Sequence, residues 1–485
     1  MPPAPRCLDS SIPYFPSLPM SNCMSKLLPR DSQSPITRRK FLFATGASVA
    51  GFNLLSSTAL KGAARLSPGE KLNVAGIGIG SRGGADLEEI AKLGHNIVAL
   101  CDVDENYAAK EFAKYPAAKR FTDYRVMLDR MGREIDGLVI GTPDHTHAVI
   151  AMEAMRRGKH VYCEKPLAHS VHDIRALMAA AQKHKVVTQL GNQGHSSDAI
   201  RQVCEWIWAG AIGQVHAIHA GCDSYKQVYC QIPNLAKLNE PHDVPKGLDY
   251  DLWLGPAAFR PYSPLWVPWN WRGWMPFGTG TIGDWICHVI DPGFWALELD
   301  APATIHAEVS GYDPAKHGLT YPPAAKITFE FPARKARAPV KLVWFDGNNS
   351  IPRPEGFGPD DKVPGVGAVI FGSKGMIVHG SHGAGECYLV PQELMDQYSG
   401  KNAPAQKIPR IKGHYWDWAE AIRSGRQAGS PFSYGGPLSQ VALLGLIGIR
   451  FPGQTLHWNE AQAKFTDNPA ANPFLNPPYR KGWRL

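Results

Sequence analysis

Leu72-Asn73-Val74-Ala75-Gly76-Ile77-Gly78-Ile79-Gly80-Ser81-Arg82-Gly83 is a short apolar run that breaks into three glycines spaced GxGxxG. The run reads as a buried strand, and residues 83–93 read as the helix that follows. In such a strand-turn-helix the first glycine permits the tight turn, the second lets the backbone approach a pyrophosphate, and the third lets helix and strand pack closely. Amides at the helix N-terminus then face the anion. The turn nominates Gly78, Ile79, Gly80, Ser81, Arg82 and Gly83 as dinucleotide contacts, against the competing account of a glycine-rich loop with no ligand. Gly76 stands where a branched strand residue is expected, which weakens the strand but spares the three glycines.

Working outward, further strands are expected at 96–101, 137–140, 160–162 and 186–189, separated by helices near 83–93, 105–114, 148–157 and 171–185. Strands alternating with helices at this spacing predict an α/β fold with a doubly wound parallel sheet covered on both faces. Ligands of such sheets sit beyond the carboxyl ends of the strands. Asp102 falls there, nineteen residues past Gly83. A carboxylate at that place accepts hydrogen bonds from a ribose 2'-hydroxyl and repels a 2'-phosphate, which favours NAD over NADP. The other role open to Asp102 is capping the next helix.

Two more strand ends carry polar groups to the same edge: Gly141-Thr142-Pro143-Asp144-His145-Thr146-His147 and Cys163-Glu164-Lys165-Pro166. A lysine near a nicotinamide ring can hydrogen-bond or deprotonate a substrate hydroxyl if burial or a nearby cation lowers its pKa. The plainer reading of Lys165 is a surface lysine paired with Glu164. Far along the chain, Gly278-Thr279-Gly280-Thr281-Ile282-Gly283 leads into Asp284-Trp285-Ile286-Cys287-His288. In a helix the i, i+4 spacing puts Asp284 and His288 on one face, where a carboxylate orienting an imidazole makes a proton acceptor. A surface pair and a metal half-site are the alternatives, and no further ligand with recognisable spacing follows, so no metal site is expected. Upstream, Trp266, Trp269, Trp271 and Trp274 crowd a proline-bearing loop that suits either a sugar ring or a core.

Taken together, the glycine turn, Asp102 in Leu100-Cys101-Asp102-Val103, Thr142-Pro143 with His147, Glu164-Lys165-Pro166 and the Asp284-x-x-x-His288 helix resemble the Gfo/Idh/MocA oxidoreductases over roughly residues 71–485. The resemblance implies an NAD-binding Rossmann domain at 71–193. It implies a second α/β domain at 194–485, built on a large open, mostly antiparallel sheet that covers the nicotinamide and mediates homo-oligomerisation. It implies Lys165 and His288 as the catalytic pair with Asp284 as partner, and cofactor contacts from Thr142, Pro143, His147, Glu164 and Lys165. Gly191-Asn192-Gln193-Gly194-His195-Ser196 looks like the family's crossover segment, which adds Asn192 and Gln193 toward the cofactor and His195, with Trp271 and Arg272, toward substrate. Gly413-His414-Tyr415-Trp416-Asp417-Trp418 and Tyr479-Arg480-Lys481-Gly482-Trp483 are similar to exported bacterial members. The expected activity is hydride transfer between a sugar or polyol carbon and NAD. A redox-neutral NAD-dependent glycoside hydrolase or lyase is the alternative, although the hydrolases of this family depart from Glu-Lys-Pro at the lysine.

Ahead of the first strand, Thr37-Arg38-Arg39-Lys40-Phe41-Leu42 reads as a twin-arginine export signal within a leader at 1–64, implying the twin-arginine machinery as partner and a periplasmic or otherwise exported enzyme. The apolar stretch at 41–59 is diluted by Gly46, Ser48, Gly51, Asn53, Ser56 and Ser57, short of the roughly 20 strongly apolar residues of a spanning helix. Ser57-Thr58-Ala59 and Gly62-Ala63-Ala64 both suit a peptidase, and Met20 or Met24 suits a start. Of the net charge of +8, half resides in the first sixty residues. With no Lys/Arg-rich run or basic-aromatic stripe, nucleic acid is not expected as a partner. The nine cysteines show no CxxC spacing, and Cys222–Cys230 is the one disulfide the sequence suggests.

Overall fold

The computed structural model describes residues 68–224 and 226–485. The twin-arginine segment and the suggested cleavage sites lie outside the described residues. Six parallel strands, β1 (Asn73–Ile77), β2 (Asn96–Cys101), β3 (Lys119–Phe121), β4 (Gly137–Ile140), β5 (His160–Cys163) and β6 (Thr188–Leu190), form one sheet in the order β3-β2-β1-β4-β5-β6. The strand order reverses between β1 and β4, where Ile77 pairs with Ile140, and the crevice outside that switch point is where such sheets bind ligands. This is the doubly wound sheet expected above. The helix Arg82–Lys92 packs so closely on β1 that a side chain at Gly76 would run into Leu87, so this glycine serves packing rather than marking a weak strand. β3 and the helix Tyr124–Met131, capped by Asp123, were not expected. Lys119-Arg120-Phe121 is a half-exposed edge strand without an apolar run.

The second half carries nine strands: β7 (Val215–Cys222), β8 (Thr304–Ser310), β9 (Ala324–Phe331), β10 (Val340–Gly347), β11 (Val366–Gly372), β12 (Met376–Gly380), β13 (Tyr388–Val390), β14 (Thr455–Asn459) and β15 (Lys464–Phe465). Their order is β13-β12-β11-β7-β10-β9-β8-β14-β15, antiparallel apart from the β7–β10 pair. Ile218, Leu342, Trp344, Ile327 and Ile370 point to one face, where the helices Gly280–Val289, Asp291–Ala296 and Phe432–Arg450 cover the sheet. Phe432–Arg450 is apolar all round because it is buried all round, with the sheet on one side and the helix Val171–His184 on the other. Gly280–Val289, which bears Asp284 and His288, is thereby fixed between sheet and core helix. Cys222 and Cys230 are both free thiols.

The parallel sheet is completed from far downstream. The helix His414–Ser424 lays Trp418, fully buried, over Gly137 and edge-on to Tyr162 at 6.0 Å. Truncating such an indole leaves a cavity that neighbouring side chains fill only partly. Trp418→Ala is expected to cost about 3–5 kcal/mol in urea unfolding, and Trp418→Phe clearly less. Near-wild-type stability of Trp418→Ala would show that the indole does not anchor this helix.

Candidate active site

Gly78 turns the chain away from β1 with φ of 74°, and a Cβ there would lie 2.6 Å from the backbone nitrogen of Thr142. Gly83 has no room for a Cβ against the Gly78 carbonyl. The turn is therefore bare backbone lying against the Thr142 loop. Asp102 Oδ2 accepts hydrogen bonds from the amides of Ile79 at 2.8 Å and Gly80 at 3.2 Å, and Oδ1 from the Asp104 amide at 3.0 Å. It thus ties the end of β2 to the glycine turn and caps no helix. Burial pushes its pKa up to about 6. Three acceptor positions are used, so a carboxylate keeps lone-pair capacity for a ribose hydroxyl. The bare turn, the helix N-terminus and this carboxylate together fit a dinucleotide.

They open on a cleft of about 520 Å³ that runs between the two halves. Gly78, Gly80, Ser81, Arg82, Asp102, Thr142, Pro143, His147, Glu164, Lys165, Gln193, Trp271, Arg272, Asp284 and His288, all expected at the site, line it. Ile79 and Gly83 lie behind the turn. Glu164 accepts from Gln193 Nε2 at 2.6 Å and from Arg82 Nε at 3.3 Å, so it does not hold Lys165. The His147 ring bridges the carbonyls of Thr142 and Pro166, each at 2.8 Å, and clamps the β4 and β5 loops together. Two further expected residues, Asn192 and His195, do not line the cleft either. Asn192 donates to Asp291 at 3.0 Å, and His195 is buried against the same carboxylate at 3.1 Å, with its ring 4.2 Å from that of Trp295. Their polarity serves a buried network behind the site, which the crossover resemblance does not distinguish from the cleft wall.

At the other end of the cleft Lys165 Nζ donates to the Asp284 carbonyl at 2.9 Å and forms an ion pair with Asp284 Oδ1. The second carboxylate oxygen accepts from the Tyr229 hydroxyl at 2.6 Å and lies 3.4 Å from Arg272 Nε. The Arg272 guanidinium is itself sandwiched between Trp269 and Trp271, at 3.9 and 4.2 Å from the ring centres. Burial alone would push the Lys165 ammonium down, but Asp284 and Glu164 outweigh it and hold its pKa above the usual lysine value. Burial likewise opposes ionisation of Asp284, yet Lys165 and Arg272 keep it well below the usual carboxylate range. Asp284 therefore orients the lysine, a tyrosine and an arginine, not His288. The i, i+4 spacing does place both on the cleft side of one helix, but spacing says nothing of which neighbours reach them.

His288 instead stacks on His382, ring centres 4.0 Å apart and 18° from parallel. Its Nδ1 is buried with no partner among the described residues. Burial, then His382 and Lys165, hold its pKa well below the usual histidine value, so it is a neutral imidazole. Burial and the Lys165 charge bring His382 down to about 4. Tyr229, Trp285, His382, Tyr107 and Trp483 also line the cleft and were not expected there. For His382 the sequence held one sign: Gly380, Gly383 and Gly385 crowd its turn, in which His382, Ala384 and Glu386 all take left-handed backbone.

Comparison with known proteins agrees with this geometry. Residues 72–192 match the NAD-binding Rossmann fold of the GFO_IDH_MocA oxidoreductase family, and residues 215–332 match the C-terminal alpha/beta domain of that family. Inositol 2-dehydrogenase of Salmonella typhimurium is 31% identical over 147 residues, 30% of this chain and 43% of the relative. Alpha-N-acetylgalactosaminidase of Shewanella oneidensis is 32% identical over 173 residues, 30% of this chain and 37% of the relative. The chain thus spans under half the length of the curated relatives it matches. The crystal structure of an inositol dehydrogenase homolog from Azotobacter vinelandii, complexed with NADH and myo-inositol, superposes with a TM-score of 0.53 at 16% identity, covering 80% of this chain and 98% of that one. At that identity the likeness is one of fold. The chain carries both the NAD-binding Rossmann domain and the C-terminal α/β domain of the GFO/IDH/MocA oxidoreductase family.

Proposed function

We propose that this protein is an NAD-dependent oxidoreductase that moves hydride between a hydroxyl-bearing carbon of a sugar or cyclitol and a nicotinamide cofactor. The observation that carries this reading is the juxtaposition, along one cleft, of Lys165, an ammonium braced by Asp284, and the neutral His288 ring. The nicotinamide, when bound, supplies the hydride acceptor. Lys165 Nζ donates a hydrogen bond to the substrate oxygen, and the neutral His288 ring takes the hydroxyl proton. Asp284, braced by Tyr229 and Arg272, keeps the ammonium charged and aimed. Trp271 and Arg272 offer an aromatic face and donors to a polyol, and Asp102 selects NAD by repelling a 2'-phosphate. The cofactor resides tightly: it is loaded in the cytoplasm and carried out with the folded chain by the twin-arginine pathway, and a second substrate regenerates it in place. Homo-oligomerisation through the large sheet belongs to the same reading.

The similarity to an α-N-acetylgalactosaminidase favours one second reading, in which a ring hydroxyl is oxidised transiently and the hydride returned after loss of an aglycone. A sugar and cyclitol panel followed by nicotinamide absorbance decides between them. The expected result is net reduction with one panel member and loss of about 10²-fold or more in rate for Lys165→Ala. A variant at full rate refutes the role of Lys165, and leaving-group release from an aryl glycoside without net NADH favours the second reading.

Two further outcomes follow from the same site. Below its pKa of about 6 the Asp102 carboxyl is protonated and loses acceptor capacity for the ribose. NADH affinity should therefore fall as the pH drops through about 6, and Asp102→Asn should bind weakly at every pH without that step. Titration by fluorescence reads both, and a step that persists in the variant assigns it elsewhere. Protein purified without added nucleotide should also carry nearly stoichiometric NAD(H) through dialysis. Loss within minutes, with activity restored only by free NAD, would remove the argument for loading before export.

A further inference from the structure

The segment 479–485 has no part in the chemistry above, yet it reaches the cleft. Arg480 is tied down by four groups: its amide donates to the Pro256 carbonyl at 2.9 Å, Nε to the Gly255 carbonyl at 3.1 Å and Nη2 to the Asp251 carbonyl at 2.9 Å, while Nη1 forms an ion pair with the Asp251 carboxylate. Five residues on, Arg156 Nη2 of the helix His147–Arg156 donates to the Leu485 carbonyl at 3.1 Å. The segment is thus fastened at one end to residues 251–256 of the second half and at the other to the parallel-sheet half. Between these anchors Trp483, half-buried, lines the cleft beside Tyr124, Thr146, Leu252 and Trp253. Its position along the cleft is set by Arg125, whose guanidinium lies 4.8 Å from the indole centre and is held by Asp123. Asp123 follows β3, and Phe121 of β3 pairs with Cys101, so this loop leaves the sheet beside Asp102. Lys165 follows β5, on the opposite side of β1 from β2 and β3.

We propose that residues 479–485 complete the dinucleotide site, with Trp483 as its wall at the adenosine end. This rests on the dinucleotide reading of the Gly78 turn. An indole there offers a π-face to the base, and the two anchors hold it across the cleft mouth, so departure of the nucleotide requires the segment to lift. Base-aromatic contacts of this kind correspond to about 5- to 150-fold in binding. Affinity differences of that size are expressed mostly in the off-rate.

The test is release of NADH from the full-length protein, chased with excess NAD and followed by nicotinamide fluorescence excited through tryptophan. Trp483→Ala should release NADH about 5- to 150-fold faster. Arg480→Ala, which cuts one anchor and leaves the cleft wall intact, should shift release in the same direction. Trp483→Phe should keep most of the slow release and lose part of the energy transfer, which also shows that the site folds without the indole. Wild-type release rates in both Trp483→Ala and Arg480→Ala overturn the proposal. A wild-type protein that binds no NADH overturns the dinucleotide reading itself, and the proposal with it.

Discussion

Everything at this site depends on a contact between bare backbones. The turn after β1 and the loop after β4 approach so closely that Gly78, Gly83 and Gly141 have no space for a Cβ. A methyl at any of them would push the helix Arg82–Lys92 off the sheet or spread β1 from β4, and the crevice at the switch point would lose its floor. Asp102 then locks the turn by accepting two of its amides. Thr142 and Lys165 are placed relative to this floor because their strands continue the same parallel sheet, and Asp284 and His288 because their helix is held between the antiparallel sheet and Phe432–Arg450.

The second organising interaction is electrostatic and crosses between the halves. Lys165 comes from the parallel sheet and Asp284 from the helix that covers the antiparallel one. Their pairing serves two ends. It keeps a buried cation charged where burial alone would discharge it, and its fixed positive charge adds to the burial that already holds the nearby histidines neutral. A donor and an acceptor are thus separated in protonation state by burial together with one ion pair, the pattern by which environments divide acid from base in enzymes.

How much of this could be read in the chain follows from how local each signal is. The glycine turn, the strand-helix alternation and Asp102 are short-range patterns with fixed spacing, and the parallel sheet follows from them. β3 escaped because Lys119-Arg120-Phe121 lies at an edge and needs no apolar run. The helical spacing of Asp284 and His288 correctly puts both on the cleft side, but the carboxylate's partners, Tyr229 and Arg272, arrive from loops that no periodicity connects to it. Asn192 and His195 sit in a polar segment next to Gln193, yet only Gln193 faces the cleft, because Asp291 draws the other two into the interior. His382 and Trp483 reach the site by long-range packing, which sequence spacing does not encode.

The helix His414–Ser424 has a consequence for how the chain is made. Val139, Tyr162 and Val187 share one hydrophobic cluster with Trp418, Ala419 and Ala421. Until those downstream residues leave the ribosome, the nascent parallel sheet presents that apolar face to water or to a chaperone. Synthesis runs from the N-terminus at about 5–20 residues per second, so the sheet waits on the order of ten seconds or more between its sixth strand and its missing cover. The nucleotide-binding half is first in the sequence and among the last parts to be finished.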